Sequence, residues 1–424
     1  MKARVVVTGL GVCAPNGISL LGFCESLKNG VSGIEFNPQL AELNFGCQVS
    51  GTPKIDTKIL NKYFTKLELR GLKSSGLMYG VIAGVEAWKD ADLYTDRTGE
   101  VDWETGVVFG TGILGVDKFR EAIHLIDDKQ TRRLGSTSVI QTMASGISAF
   151  LGGRFGLGNQ VTTNSSACTT GTEGVLMAFD RISQGKAKRM LVGSCSDSGP
   201  YVWGGFDALR VLARNSNAFP EKASRPFSAS ATGFVPGSGA GALVIESLES
   251  ALERKATIYA EVLGGAVNSG GQRNGGSMTA PNNKGVQRCI TTALKEAGVS
   301  ATEVDAINGH LTATSKDPVE IMNWSEALDR KGSDFPYINS FKGIFGHCLA
   351  ASGSVECVGT LLQFKEGKIF GNINTEDIHP EISQIIAKSR IPHKTIELKP
   401  KIIAKASFGF GDVNACVIFK SYPD

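Results

Sequence analysis

The tetrapeptide Ser166-Ala167-Cys168-Thr169 stands where a strand pattern gives way to a helix pattern. The run Val161-Thr162-Thr163-Asn164 before it, in which the first three residues are β-branched, predicts a strand, and a helical pattern begins after it at Gly171. A thiol near the first turn of a helix lies in a positive field, which lowers its pKa. Cys168 is therefore a candidate nucleophile, although a single cysteine is more often a small buried apolar residue.

Two of the five histidines complete this candidate site. His310, in Asn308-Gly309-His310, and His347, in Gly346-His347, both follow strand-like runs far along the chain. A lone histidine at a strand end is usually structural, so the hypothesis depends on both of them converging on Cys168. One thiol and two imidazoles in contact would make a site for acyl transfer or for carbon–carbon bond formation.

Size and composition describe an α/β protein with a large core. The 424 residues could fold as one large domain or as two halves, with 42% hydrophobic residues, 20% charged residues and 52 glycines. The net charge of +3 and the lack of any Lys/Arg block argue against nucleic-acid binding. No apolar run approaches the roughly 20 residues of a membrane-spanning helix, so no membrane partner is predicted.

The nine cysteines predict a reducing compartment. Their number is odd, and neither a CxxC pair nor a Cys/His metal spacing occurs among them. This favours free thiols in a cytoplasmic protein over a disulfide framework or a bound metal. The apolar run Val5-Val6-Val7 breaks at Thr8-Gly9 and is too short for a signal peptide, so it is interpreted as the first strand.

A weak internal repeat runs through the chain. Strand-like runs near residues 4 and 257 each lead to glycines, and glycine-rich segments at 236–241 and 408–412 each precede an apolar strand. Within each copy, a reactive residue lies between the strand-like run and the glycine-rich segment. Cys168 and His347 each precede a helical pattern, and these patterns end at Gly185 and Gly367 respectively. Common βαβ patterning without duplication would give a similar picture.

The repeat predicts two mostly parallel sheets covered by helices, with the Cys168 helix facing the His347 segment. Reactive groups in such folds gather at the carboxyl ends of strands. We expect an N-terminal half at 1–250, with the nucleophile, and a C-terminal half at 251–424, with both histidines. The first half has about 70–80 additional residues before Cys168, enough for a cap, a pocket wall or a subunit interface.

Motifs spread over nearly the whole chain are similar to those of one enzyme family. They lie at residues 6–11, 164–168, 223–227, 308–314, 342–347 and 407–411. Through them the chain resembles the β-ketoacyl-acyl carrier protein synthases, which are thiolase-fold condensing enzymes, and most of all the elongating type with one cysteine and two histidines. The resemblance implies a thiolase-like α/β fold whose duplicated βα halves form a layered α/β/α/β/α core.

The resemblance also implies a reaction, the decarboxylative Claisen condensation of malonyl-carrier protein with a cysteine-bound acyl chain in fatty-acid elongation. Cys168 would carry the acyl chain, and the backbone N–H groups of Cys168 and Phe410 would form the oxyanion hole. His310 and His347 would act as neutral donors to the enolate that forms when carbon dioxide leaves. Lys342, oriented by the supporting residue Glu320, would act on the histidine region electrostatically.

Substrate contacts are implied in the same way. Thr312 and Thr314, two apart on a segment expected to be extended, would bind the phosphopantetheine arm. Ile113, Phe206 and Phe410 would line the acyl pocket, although each of these three is more often ordinary core.

The implied partners are an acyl carrier protein and a second copy of the chain in a homodimer. No cofactor is expected, because the substrates arrive on the phosphopantetheine of the carrier protein. The basic residues that could dock an acidic carrier, or simply form a solvated surface, are Lys66, Arg70, Lys73 and Arg214.

Four departures from the family pattern leave an alternative open. Leu311 and Asp412 stand where glycine is usual, Ser238 stands where glutamate is usual, and the segment from Thr314 to Glu320 is one residue shorter. These departures lie at the active site or its supporting loops. They favour a specialised type II polyketide or aryl-polyene ketosynthase as the alternative to fatty-acid elongation.

Other functions fit less well. A degradative thiolase would need a second cysteine in the glycine-rich loop near Phe410, and an initiating enzyme would have asparagine in place of His347. A non-catalytic chain-length-factor subunit would typically lack the nucleophile that Cys168 supplies. A cysteine protease fits less well still, because the chain shares nothing with that class beyond a cysteine and histidines.

Overall fold

A computed structural model describes residues 3–94 and 99–422. The strands are β1 (Val5–Cys13), β2 (Ile34–Phe36), β3 (Val49–Gly51), β4 (Thr105–Thr111), β5 (Val161–Thr162), β6 (Arg189–Ser196), β7 (Gly239–Ser247), β8 (Ala260–Ser269), β9 (Ala306–Asn308), β10 (Tyr337–Asn339), β11 (Lys368–Ile369), β12 (Ile396–Glu397), β13 (Ile402–Gly409) and β14 (Val413–Ser421). The helices are α1 (Leu20–Asn29), α2 (Pro38–Glu42), α3 (Thr57–Tyr63), α4 (Lys66–Leu69), α5 (Ser75–Asp90), α6 (Val116–Asp127), α7 (Ser138–Thr142), α8 (Gly146–Phe155), α9 (Thr170–Ser183), α10 (Pro200–Ala208), α11 (Leu248–Glu253), α12 (Asn283–Ala297), α13 (Asp317–Leu328), α14 (Lys342–Phe345), α15 (Ser352–Glu366) and α16 (Pro380–Ile385).

Ten strands form one hydrogen-bonded sheet in the order β10-β9-β13-β14-β8-β1-β7-β6-β4-β5. The order on one side of the β8/β1 junction repeats the order on the other, with β1, β4, β5, β6 and β7 equivalent to β8, β9, β10, β13 and β14. The directions repeat as well, because β4 is parallel to β5 and β6 just as β9 is parallel to β10 and β13. This repeat is the duplication predicted from the sequence.

Each half of the sheet is mixed, and the prediction of mostly parallel sheets is wrong. β7 runs antiparallel to both β1 and β6, and β14 runs antiparallel to both β8 and β13. In the second half the physical reason is that the glycine-rich segment before β14 is a tight turn from β13, which reverses the chain instead of crossing over a helix. In the first half the chain reaches β7 from β6 through α10 and a longer connection.

The two halves join along a short junction between β1 and β8. Three residue pairs connect these strands, from Val5 opposite Val262 to Val7 opposite Ala260. Beside the junction, the guanidinium of Arg4 binds the carboxylate of Glu261 through two hydrogen bonds of 2.8 Å. The proposed division at residue 250 falls within α11, just before β8, and it stays a prediction.

The helices α9 and α15 pack against each other and against strands of both halves. Their first turns approach closely, since a Cβ on Gly171 would lie 2.2 Å from the backbone nitrogen of Ser354, and one on Gly353 would lie 2.6 Å from that of Thr172. Only glycine permits this approach. It places the residues that precede α9 and α15, including Cys168 and His347, beside each other.

The outer helices cover the remaining faces. α5 packs on β1, β6 and β7 of the first half, and α12 packs on β8 and β14 of the second. From β1 to β5 the chain runs from Val5 to Val161, whereas from β8 to β10 it runs only from Ala260 to Tyr337. The additional residues lie in the first half, before Cys168, as predicted from the sequence. Across the described residues, no helix combines the length and apolarity that crossing a bilayer requires.

Candidate active site

Cys168 lies in a single 3-10 turn, Ala167–Thr169, directly before α9. Ala167 has a φ of +50°, a left-handed conformation that is unfavourable for a residue with a Cβ. Hydrogen bonds hold the turn, because the Thr170 hydroxyl donates to the carbonyl of Ala167 at 2.7 Å and accepts from the backbone N–H of Ser166 at 2.9 Å. The turn therefore presents Cys168 in a fixed orientation at the start of the helix.

The pKa of the Cys168 thiol is raised, whereas its position before a helix predicted a lowered one. Burial raises the pKa of Cys168, and this effect exceeds the opposing effects of the Phe410 backbone N–H and the Lys342 charge. The field at the start of the helix lowers the pKa of the thiol by less than desolvation of the sulfur raises it. The backbone N–H groups of Phe410 and of Cys168 itself both lower the pKa of the thiol, which offsets part of the effect of burial. The oxyanion hole expected from these two N–H groups stays a prediction.

His347 is held in one tautomer. Its Nδ1 accepts the backbone N–H of Leu349 at 3.0 Å, and the Ser352 hydroxyl lies 3.0 Å from the same nitrogen. An Nδ1 that accepts a backbone N–H carries no proton of its own, so the proton of the neutral ring is on Nε2. His347 can therefore present an N–H donor to the site.

His310 is fixed through its backbone. The N–H groups of His310 and Leu311 each donate to one oxygen of Glu320, both at 2.7 Å. Burial and the nearby charge of Asp317 raise the pKa of Glu320 to about 7. Nδ1 of His310 is buried and has no hydrogen-bond partner among the described residues.

The structure brings the thiol and both imidazoles together. One nitrogen from each of His310 and His347 and the sulfur of Cys168 lie within 4.8 Å of one another, and the two rings are nearly perpendicular with centroids 5.4 Å apart. Burial lowers the pKa of both histidines well below its ordinary value, and the charge of Lys342 lowers it further. Both rings are therefore neutral near pH 7.

The same three side chains are those among the described residues that could reach a single metal ion. Sulfur and imidazole nitrogen are ligands that Zn²⁺ accepts. They are equally the groups that nucleophilic acyl transfer uses. The expectation that this protein holds no metal stays a prediction.

Lys342 is buried as expected, but its partner is not Glu320. Nζ of Lys342 donates to Oε1 of Glu356, which lies on α15. The other oxygen of Glu356 accepts from Nζ of Lys405 at 2.8 Å. Glu320 is occupied by the two backbone N–H groups already described, so it orients His310 and not Lys342.

Thr312 and Thr314 point the same way, with their hydroxyl oxygens 3.1 Å apart. The segment is not extended, because Ala313 has a φ of +62°. The carboxylate of Asp317 holds this turn by accepting the backbone N–H groups of Thr312 and Ala313 at 2.9 and 3.2 Å. Burial raises the pKa of Asp317 to about 6.

Two cavities meet at Cys168 and Phe410, which line both of them. The first also contacts His310, His347, Thr312 and Thr314 and reaches the exposed Lys316. The second is lined mostly by apolar residues, namely Ile113, Val202, Phe206, Leu349 and Ala350. All the substrate-contact residues expected from the sequence therefore lie along these cavities.

The departures from the family pattern have structural counterparts. Leu311 is buried and packs in the apolar cluster of the second half with Phe227 and Ile321, outside both cavities. Asp412 has a φ of +60° and accepts the backbone N–H groups of Gln272 and Asn282 at 2.9 and 2.8 Å. Asp412 thus ties together both ends of the loop at residues 270–282.

Sequence reasoning missed Glu356, Lys405 and Asp317. Two of them left a signal, since Lys405 lies within a mostly apolar run of β13 and Glu356 lies within a buried run of α15. A charged residue within a buried run requires a partner of opposite charge. The separation of Lys342, Glu356 and Lys405 along the chain hid which of them form pairs.

Models of the β-ketoacyl synthase N-terminal and C-terminal domains match residues 2–251 and 259–376. The chloroplastic 3-oxoacyl-[acyl-carrier-protein] synthase I of Arabidopsis thaliana is 33% identical over 434 residues, which cover 99% of this chain and 87% of that protein. The 3-oxoacyl-[acyl-carrier-protein] synthase 2 of Vibrio harveyi is 32% identical over 424 residues, which cover 99% of both.

Solved structures agree with this assignment. A β-ketoacyl synthase from Burkholderia phymatum superimposes with a TM-score of 0.89 at 26% identity over 100% of both chains. A type II polyketide ketosynthase, solved with its acyl-carrier protein and bound to a hexaketide, gives a TM-score of 0.87 at 27% identity, again over 100% of both chains. The chain therefore belongs to the β-ketoacyl synthase family, and it is a condensing acyltransferase with the thiolase-like fold predicted from its sequence.

Proposed function

We propose that this protein is a 3-oxoacyl-acyl carrier protein synthase that extends a Cys168-bound acyl chain with malonyl-carrier protein. The observation that carries the proposal is the convergence of the Cys168 sulfur with one nitrogen each of His310 and His347 within 4.8 Å. No cofactor takes part in the proposed reaction, because both substrates arrive on phosphopantetheine.

In the first half-reaction the sulfur of Cys168 attacks the thioester carbonyl of an acyl-carrier protein. A carbon–sulfur bond forms at Cys168 and the bond to the pantetheine sulfur breaks, so the thiol proton of Cys168 ends on the departing pantetheine. The backbone N–H groups of Cys168 and Phe410 would stabilise the negative oxygen of the intermediate. The acyl chain would then occupy the apolar cavity lined by Ile113 and Phe206.

In the second half-reaction malonyl-carrier protein enters along Thr312 and Thr314, whose paired hydroxyls line the other cavity. Loss of carbon dioxide breaks a carbon–carbon bond and leaves an enolate. The Nε2–H of His347 and the ring of His310 would donate to the enolate oxygen. The carbanion attacks the acyl thioester and forms the new carbon–carbon bond while the bond to the Cys168 sulfur breaks. Cys168 leaves as a thiolate and takes up a proton from solvent.

An acyl carrier protein is the proposed partner, and the solved ketosynthase complex supports the proposal. Lys316 is exposed and lines the cavity that contains the two threonines, where the phosphate of a pantetheine arm would enter. Lys66 and Arg70 are exposed at the two ends of α4. Lys73 and Arg214 are less available to bind an acidic carrier protein, because they already pair with Glu121 and Asp207 at 3.3 and 3.5 Å.

A homodimer is proposed from the exposed apolar side chains of the first half. Ile113 lines the acyl cavity, yet 52% of its surface is exposed. Three residues of α6 are similarly exposed, namely Phe119, Ile123 and Ile126, and Val139 of α7 is more so. A second copy covering this face would complete the wall of the acyl cavity.

The cytoplasmic location predicted from the cysteines also stays a proposal, supported by nine free thiols.

A second candidate is a specialised type II polyketide or aryl-polyene ketosynthase, and the similarity to the hexaketide-bound ketosynthase favours it. The curated relatives named above, at 32–33% identity, favour fatty-acid elongation. The two candidates differ in whether the chain to be extended is fully reduced or retains oxo groups or double bonds. A non-catalytic chain-length factor has less support, because Cys168, His310 and His347 are assembled.

The proposal is tested by incubating the purified protein with malonyl-carrier protein and a panel of saturated, unsaturated and 3-oxo acyl-carrier proteins. Mass spectrometry of the carrier protein should show a 3-oxoacyl product two carbons longer than the acyl chain supplied. The acyl chain that reacts fastest distinguishes the two candidates. Absence of any extended product with every member of the panel would contradict both of them.

A further inference from the structure

A second lysine is buried behind the histidines. Lys405, in the middle of β13, has no exposed surface, and its Nζ lies 2.8 Å from Oε2 of Glu356. Lys342 binds Oε1 of the same carboxylate, so one buried glutamate accepts from two buried lysines. With all three groups in their ordinary ionised forms, the cluster carries one excess positive charge. An unbalanced charge is costly in a buried position unless another group uses its field.

The hydrogen bonds of Lys405 connect this cluster to the nucleophile. Its Nζ also donates to the carbonyl of Ala406 at 2.6 Å and to the hydroxyl of Ser407 at 3.1 Å. The Ser407 hydroxyl lies 2.9 Å from that of Thr172, in the first turn of the helix that follows Cys168. The ammonium group therefore joins α9, β13 and α15 at one point.

We propose that Lys405 is a positioning residue of the condensation site, which balances the carboxylate of Glu356 so that the charge of Lys342 acts uncancelled on His310 and His347. This inference rests on the proposed function. If Lys405 were absent, Glu356 would cancel the charge of Lys342, and the cluster behind the histidines would become neutral.

A net positive charge at this position suits the chemistry in two ways. It disfavours protonation of the imidazoles, which must stay neutral to serve as donors in the tautomer that His347 shows. It also stabilises the negative charge that develops on the enolate. Burial lowers the pKa of both histidines, and the charges of Lys342 and Lys405 lower it further. The titratable and charged groups around the two histidines are Cys168, Asp317, Glu320, Lys342, Glu356 and Lys405.

The test is a series of variants that changes the charge of the cluster one unit at a time. Lys405→Met makes the cluster neutral, Lys405→Met with Glu356→Gln restores one positive charge, and Glu356→Gln alone gives two. The readouts are the acid midpoint of the condensation rate and the pH at which iodoacetamide alkylates Cys168 half-maximally. A merely structural role of Lys405 would change the rates and the melting temperature but would leave both midpoints in place.

We expect Lys405→Met to move both midpoints upward by about 0.5–1 pH unit, the size expected when one nearby charge is lost. The double variant should return them towards the wild-type values even if its rate is lower. The matched control is Lys28→Met, because Lys28 binds Glu366 at 3.1 Å near the other end of α15. This pair lies about 15 Å further along the helix, so neither midpoint should move.

Unchanged midpoints in a folded Lys405→Met variant would overturn the proposal, and so would a shift that the double variant fails to reverse. If Lys405→Met alone does not fold, Glu356→Gln is compared with the double variant, because these two proteins differ only at Lys405. The midpoints of the double variant should then lie higher than those of Glu356→Gln, and equal midpoints would contradict the inference. Failure of the proposed function would look different. The wild-type protein would then make no extended product, while alkylation of Cys168 would still report the charge of the cluster.

Discussion

The backbone N–H of Leu349 donates to Nδ1 of His347 at 3.0 Å. This bond assigns the proton of the neutral ring to Nε2, and it does so from within the turn that precedes α15. The turn that leads into α15, the helix packed against the Cys168 helix, thus also sets which nitrogen of His347 can donate to a substrate. The N–H donor that the proposed decarboxylation needs is therefore fixed by a backbone hydrogen bond.

Replacing His347 should separate the two half-reactions. His347→Ala should still load an acyl chain onto Cys168, because the substitution leaves untouched the backbone N–H groups of Cys168 and Phe410 that are proposed to form the oxyanion hole. Condensation should fall by about 10²–10⁴-fold, the range for losing an acid–base or oxyanion-type partner. Loading is measured as the acyl mass on the protein, and condensation as extended product. Full condensation in His347→Ala would contradict the assigned role.

The neutrality of the histidines predicts the pH profile of condensation. A histidine with a depressed pKa stays neutral as the pH falls through its ordinary range, and it becomes protonated only well below that range. The donor function of His310 and His347 should therefore persist down through pH 6.5. The rate of condensation measured between pH 5 and 8 in constant ionic strength checks this. A loss of activity centred at or above pH 6.5 that moves with substitution of either histidine would contradict it.

Glu320 should make stability depend on pH. Its pKa in the folded protein is raised to about 7, above that of an exposed glutamate, so folding takes up a proton between these values. Stability from this group is fully present below the unfolded pKa, and it is lost as the pH rises towards 7. Glu320→Gln should remove this loss, which is on the order of 1–3 kcal/mol. Urea unfolding of both proteins between pH 4.5 and 8 measures the difference, and parallel curves would refute the prediction.

Leu311 should matter for stability and not for chain length. Its side chain packs in the core with Phe227 and Ile321, and it contacts neither cavity. Leu311→Ala should cost about 2–5 kcal/mol of unfolding free energy, and Leu311→Met should cost much less. The distribution of product lengths should be the same in both variants. A stable Leu311→Ala protein with altered products would show that the side chain restricts the substrate.

Asp412 should hold the loop at residues 270–282 in place. Its carboxylate accepts the backbone N–H groups of Gln272 and Asn282, and this loop lines the cavity through Thr279–Pro281. Asp412→Ala should loosen the loop and raise KM for malonyl-carrier protein by several-fold, with a smaller change in kcat. Trypsin should cleave after Arg273 faster in the variant than in the wild type. Equal cleavage and an equal KM would rule out this role.

The sequence predicted which residues form the reactive site better than it predicted which side chains pair with them. Cys168, His310 and His347 were placed correctly, because each follows a strand and the repeat brings α9 and α15 together. The pairing of Lys342 with Glu356 was missed, since contacts between distant segments depend on tertiary packing that local patterns do not encode. The thiol pKa was predicted in the wrong direction because burial, which opposes the helix field, cannot be read from local sequence.

The most direct measurement is peptide mass spectrometry of the protein after incubation with an acyl-carrier protein, before and after a chase with malonyl-carrier protein. The proposed mechanism predicts that the acyl mass appears on the peptide containing Cys168, is absent in Cys168→Ala, and disappears during the chase as an extended 3-oxoacyl product forms. Acylation at another residue, or an acyl-Cys168 that malonyl-carrier protein does not discharge, would contradict it.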